Sequence, residues 1–237
     1  MPQPIDSPAR RGRPPLRSRE EQMSLLLDAA AVALGAGNFA NVTMDAIARS
    51  AGISKKTLYL LVDSKEQLLS LLVARDLSTL ELLLESGLEC AESLLAELRM
   101  YLYLWSRLTL SPLALGIYLM AAQGREHTPG VARIWYQEGA ERCLNLLRTW
   151  LGRASDKGLV ASGDVESAIE LIDAVLISQP LKLFTLGVQQ QWTDEQIGAR
   201  VDTVLDMFAR AYIRPVASEA AAVNEARVCQ LNAQEAT

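Results

Sequence analysis

The chain has one histidine, His127, and three widely separated cysteines, Cys90, Cys143 and Cys229, with no CxxC pair. A zinc site needs Cys or His ligands at close spacing, and a disulfide framework needs an even set of paired cysteines. Neither is expected, no metal or cofactor is implied, and the thiols fit a reducing compartment. The signatures of common catalytic sites are missing too: there is no HExxH, no phosphate-cradling GxxxxGK[S/T] loop and no GxSxG. Without a convergent nucleophile and base or a metal cluster, an enzyme is not expected. Aromatic residues make up only 5% of the chain while Leu and Ala dominate, which disfavours sheet and favours helix. No charge-free apolar stretch reaches the roughly 18 residues of a membrane span, and the first thirty residues lack the apolar core of a signal peptide. These absences point to a soluble cytoplasmic protein with no membrane partner.

What is present is a long chain, 237 residues, half of them apolar, so a sizeable core is possible. The net charge of −5 hides an asymmetry. Residues 1–65 hold nine Lys and Arg against six acids, whereas the remainder holds fourteen against twenty-two. A basic end on an acidic body is the charge pattern of a localised nucleic-acid-binding module, with the body repelling phosphate.

Helical signals succeed one another with no convincing strand, so the expected fold is all-α. Residues 1–17, rich in Pro and Arg, read as a disordered basic arm. Ser18-Arg19-Glu20-Glu21 is a capping box opening a first helix, which Gly35 and Gly37 stop. Thr43 and Ser54 can cap two short helices around Gly52. Ser64-Lys65-Glu66-Gln67 is a further box, starting a long helix over about 65–86. Helices are then expected near 90–108, from Pro112 to about 123, over about 130–157, from an Asp164 cap to about 186, and from the Thr193-Asp194-Glu195-Gln196 box to about 213. The remainder, 215–237, reads as a mobile tail. The resulting organisation is an arm (1–17), a three-helix unit (18–64), a connector helix (65–86), a helical body (87–214) and the tail.

Residues 43–68 carry the chemistry. Two short helices flank Gly52-Ile53, with small Ala48 and Ala51 where the helices must cross and a glycine free to take the positive φ of the turn. Ile53 and Leu58 point inward. That leaves Lys55, Lys56, Thr57 and Tyr59 near the exposed start of the second helix, the position from which a helix-turn-helix reaches base edges in the major groove. Lysine donates to guanine or phosphate, and threonine offers a hydroxyl to phosphate or a methyl to thymine. Thr43, Ser54 and Lys65 stand at helix N-termini, which favour phosphate. Arg11-Gly12-Arg13-Pro14 resembles an AT-hook, so Arg11 and Arg13 are expected in an A·T-rich minor groove.

Residues 18–72 resemble the DNA-binding domain of the TetR/AcrR family of bacterial transcription regulators. The match runs from Thr43-Met44-Asp45-Ala46-Ile47-Ala48 through Ala51-Gly52-Ile53-Ser54 and Thr57-Leu58-Tyr59 to Ser64-Lys65-Glu66. The resemblance implies that the threonine opening the first of the two short helices and the lysine of the Ser-Lys-Glu segment hold phosphates. Leu60-Leu61-Val62 departs from the pattern, since family members usually carry aromatic or imidazole groups there, and Lys56 replaces a frequent glycine.

The body from about 128 to 213 is similar to the C-terminal domain of the AefR-like subgroup, on Trp135-Tyr136 to Ala140, Trp150-Leu151, Gly158-Leu159 and Phe208 to Tyr212. This implies an effector-binding and dimerisation domain. A homodimer is expected through helices near 164–186 and 193–213, because one recognition helix reads few base pairs and a two-fold pair reads a palindromic operator. Tyr101, Trp105, Tyr118, Trp135 and Phe184, with Tyr103, Met120, Tyr136 and Trp150, are candidates to line an apolar effector cavity. The expected function is a homodimeric repressor released from its operator by a small apolar ligand; the alternatives are a ligand-independent or activating transcription regulator, or a helical small-molecule- or lipid-binding protein or enzyme.

Overall fold

Why the N-terminal helices begin where they do is visible in their caps. The computed structural model describes residues 17–35, 42–84, 88–123, 129–160 and 165–213. Helix α1 (Arg19–Gly35) opens on the expected box: Ser18 Oγ accepts from Glu21 N at 3.1 Å, and Glu21 accepts the Ser18 N–H at 2.7 Å. Thr43 caps α2 (Met44–Ser50) and Ser54 caps α3 (Lys55–Leu61), each through its side-chain oxygen. Ser64 caps α4 (Lys65–Leu83), but Gln67 turns its amide oxygen to the Asp63 N–H instead of closing the box on Ser64. Between α2 and α3, Gly52 holds φ of +65°, the left-handed conformation that residues with a Cβ adopt at a cost.

The body starts with α5 (Ala91–Thr109), capped by the thiol of Cys90 paired reciprocally with Ser93, a cap the sequence reading did not identify. Pro112 begins α6 (Pro112–Gln123). Helix α7 runs as α-helix over Pro129–Arg133, widens to a π-helix over Ile134–Ala140 and continues over Glu141–Asp156. Helix α8 repeats the device, with Val165–Asp173, a π-helical Ala174–Ser178 and Gln179–Thr185. The uninterrupted helices expected over these two stretches are thus each modified by a wide turn. Helix α9 (Asp194–Tyr212) opens on the complete Thr193–Gln196 box. Val160 and Ile213 form an isolated antiparallel bridge joining the ends of α7 and α9. The arm with Arg11 and Arg13, the Asp164 cap and the tail lie outside the described residues.

Two hydrophobic clusters organise the molecule. One gathers Leu26, Ala30 and Leu34 of α1, Ile47 and Ala48 of α2, Leu58 of α3, and Leu68, Leu69 and Leu72 of α4; Ile117 and Ile134 from the body complete it. The other gathers Leu77 and Leu80 of α4 with the buried faces of α5, the later part of α7, α8 and α9, around Tyr101, Trp105 and Trp150. Helix α4 is therefore split, its first half packed in one core and its second half in the other. Val73 packs against both. Where α6 crosses the end of α1, a Cβ on Gly116 would lie 3.3 Å from the Leu34 carbonyl oxygen, so the glycine permits the close approach.

Candidate nucleic-acid interface

The surface of the helix-turn-helix is built outward from its core. Leu58 is fully buried and Leu61 nearly so, which rolls the opposite face of α3 to solvent and exposes Lys55, Lys56, Tyr59 and Leu60. Lys55 Nζ lies 2.9 Å from Asp45 Oδ2 of α2, and this hydrogen bond raises the lysine pKa further above neutrality. Thr57 is half-buried, and its hydroxyl lies 2.8 Å from Ser54 Oγ, so both side chains also serve the cap of α3. Lys65 donates to the Val42 carbonyl at 2.7 Å, tying the start of α4 to the residue before the Thr43 cap. Burial pulls its pKa down.

The departure at residues 60–62 resolves into two parts. Leu61 and Val62 are core residues, whereas Leu60 is 67% exposed on the face that carries Lys56 and Tyr59. Two arginines that the sequence reading left out flank this face. Arg17 Nη1 lies 3.8 Å from where a Cβ on Gly52 would sit, and Arg19 Nη2 lies 3.5 Å from the Leu60 carbonyl oxygen. Their sequence distance from α3 hid them; the packing of α1 across the unit brings them back.

The five candidate effector residues fall into two groups, Tyr101 with Trp105, and Phe184 with Tyr118 and Trp135 packed against its cluster. Tyr101 and Trp105 stand in the body core with ring centroids 6.0 Å apart, and the Tyr101 hydroxyl donates to the Cys143 carbonyl at 2.7 Å. Phe184 packs with Leu110, Leu181 and, edge-on, Trp192. Trp135 lines a cavity of about 70 Å³ and meets Tyr118 at 5.5 Å. Among the wider set, Tyr136, within the π-helical turn, is 58% exposed. The cavity itself is walled by Leu72, Val73, Asp76 and Leu77 of α4, by residues from the end of α5 through α6, and by Gly139, Ala140 and Cys143 of α7. It sits where the two cores meet. Burial pushes the Cys143 thiol up to about 12, so it stays protonated.

On its other side α4 borders a polar groove of about 760 Å³, where Ser70 bonds Glu138 and Glu81 pairs with Arg142. Helices α8 and α9 form a separate apolar groove of about 200 Å³ around Val175 and Phe208, with Leu171 62% and Met207 65% exposed at its rim. No single helix among the described residues is long and apolar enough to cross a membrane.

Residues 26–72 match the model of bacterial regulatory proteins of the TetR family, and residues 96–214 match that of the AefR-like transcriptional repressor C-terminal domain. Among curated proteins none matches. Among solved structures, a TetR-family transcriptional regulator from Mesorhizobium loti superposes with a TM-score of 0.65 at 20% identity, covering 84% of this chain and all of that one. A TetR transcriptional regulator from Agrobacterium tumefaciens gives 0.64 at 18% identity, over 84% and 96% of the two chains. The flavonoid-responsive regulator FrrA gives 0.55 at 26% identity, over 83% and 100%. With an N-terminal helix-turn-helix joined by one shared helix to a helical body, and with family models matching both parts, the chain belongs to the TetR family of bacterial DNA-binding transcriptional regulators and is not an enzyme.

Proposed function

We propose that the protein is a homodimeric repressor that holds a palindromic operator through α2 and α3 and releases it when a small, largely apolar compound enters the cavity beside α4. The observation that carries this reading is the division of α4 between two cores with a cavity at the seam. A void there forfeits packing contacts, and a ligand that regains them favours a different spacing of the two cores. Because α4 is common to both, a shift of its second half moves the first, and with it the separation of the two recognition helices in a dimer. That a relative is named flavonoid-responsive supports a small-molecule effector.

In this reading Lys55 and Lys56 supply cations to bases or phosphates, with Tyr59, Ser54 and Thr57 beside them; Thr43 and Lys65 meet the flanking phosphates. Arg17 and Arg19 add charge at the two ends of α3, and Arg11 and Arg13 enter an adjacent minor groove. The dimer forms through the α8–α9 groove, whose exposed Leu171 and Met207 are covered by a second copy. Gel-shift titration against the DNA flanking its own gene, at several salt concentrations, tests the interface. Replacing both lysines, Lys55→Ala with Lys56→Ala, is expected to weaken binding and to lower the salt slope by about one unit per lysine. Unchanged affinity and slope would remove α3 from the interface.

A further inference from the structure

The wall of the seam cavity carries a single charge. Apart from the Trp135 ring, the Cys143 thiol and the hydroxyls of Thr109 and Ser111, it is aliphatic or backbone except for one carboxylate, Asp76; no Lys, Arg or His lines it. Asp76 belongs to α4, and its ion-pair partner among the described residues is Arg75, with Nε 3.5 Å from Oδ1. That is long for a charge-assisted hydrogen bond, which closes to about 2.7–2.9 Å. Arg75 is shared between two acids, since its Nη1 also lies 2.7 Å from Asp28 Oδ1 of α1. The Asp76 side chain is only 34% exposed, and burial raises its pKa above the ordinary carboxylate value. An under-compensated carboxylate against an apolar wall discriminates between ligands. An anion meets repulsion, a neutral apolar molecule leaves the carboxylate further desolvated, and a cation supplies the missing partner.

Resting on the reading of this cavity as the effector site, we propose that the effector is a small lipophilic cation. Its hydrocarbon body fills the seam between the two cores, and its ammonium group donates to Asp76. The Trp135 ring, paired with Tyr118, supplies an aromatic face of the kind cations favour. The placement explains how binding is transmitted. The charge is drawn to α4 itself while the apolar body pushes on α5, α6 and α7, so occupancy loads the connector directly. At about 70 Å³ the cavity is smaller than the roughly 150 Å³ void that takes benzene, so a ring-sized cation must part these helices to enter.

The test uses two probes of matched size on the full chain: benzylamine, cationic at neutral pH, and benzyl alcohol, neutral. Calorimetric titration of the wild type is expected to show benzylamine binding about tenfold or more tightly than benzyl alcohol, as for a hydrogen bond to a charged group. In Asp76→Asn that preference is expected to disappear. A second variant, Ala114→Leu, fills the cavity and keeps the carboxylate, and is expected to bind neither probe. Equal affinity for the two probes, or a preference that survives Asp76→Asn, overturns the cationic effector and leaves the cavity as an effector site. Binding that survives Ala114→Leu places the cation elsewhere and overturns the proposal. Absence of saturable binding by either probe overturns the cavity reading along with it.

Discussion

Lys55 shows how much of a residue's role is set by its neighbour on another helix. As the first residue of α3 it was expected to face solvent and offer a cation. It does face solvent, but with its ammonium 2.9 Å from Asp45, ten residues earlier on α2. An acid at the rim of a basic face both positions the lysine and repels phosphate. Exposed ion pairs are weak, so repulsion is the larger effect. Asp45→Asn is therefore expected to tighten operator binding a few-fold, read as Kd by gel shift at fixed salt. Weaker binding would mean that the pair orients Lys55 for contact. Lys65 shows the same limit. Its place at a helix N-terminus was legible, whereas its hydrogen bond to the Val42 carbonyl, 23 residues away, required the folded chain. Caps were the most legible residues of all, because a cap is a bond between a side chain and a backbone three residues on.

At the scale of elements, periodicity and caps located the helices of both halves to within a few residues, yet they missed the π-turns in α7 and α8. A π-turn keeps the same residues helical and only shifts one bonding ring, so hydrophobic spacing over a long window hardly registers it. Its effect is on which face each later side chain occupies. The α9 cap offers a clean element-scale measurement. Thr193 accepts the Gln196 N–H, and Gln196 accepts the Thr193 N–H at 2.9 Å. Thr193→Ala is expected to cost about 1 kcal/mol by chemical denaturation at fixed protein concentration. No measurable loss would mean that packing of α9 against α5 holds the helix start without its cap.

For the whole molecule, the decisive feature is that α4 serves two cores. Leu68, Leu69 and Leu72 belong to one, Leu77 and Leu80 to the other, and the cavity lies between them. A sequence reading sees one amphipathic helix there, because all five leucines are simply buried. The α8–α9 groove belongs to this scale as well. Internal packing buries Ile172, Leu176, Val201 and Phe208 but leaves Leu171 and Met207 bare. Leu171→Glu combined with Met207→Glu is expected to convert a dimer to a folded monomer in sedimentation equilibrium and to abolish tight operator binding. A double variant that remains dimeric would move the interface to another face.

The sequence by itself determined the all-α class, the helix-turn-helix with its glycine turn, the serine and threonine caps and the separation of a basic end from an acidic body. All of these rest on local spacing and on charge, which the linear chain carries in full. Tertiary structure alone decided that Arg17 and Arg19 flank α3, that Lys55 is held by Asp45, and that Leu60 is exposed while its two successors are buried. It also separated Trp135, which lines the α4 seam cavity, from Tyr101, Trp105 and Trp150, which fill the body core. Tyr101, Trp105 and Trp150 are the best core fillers, so packing consumes them. The space left open lies where the two cores meet and is lined by Trp135 together with smaller side chains.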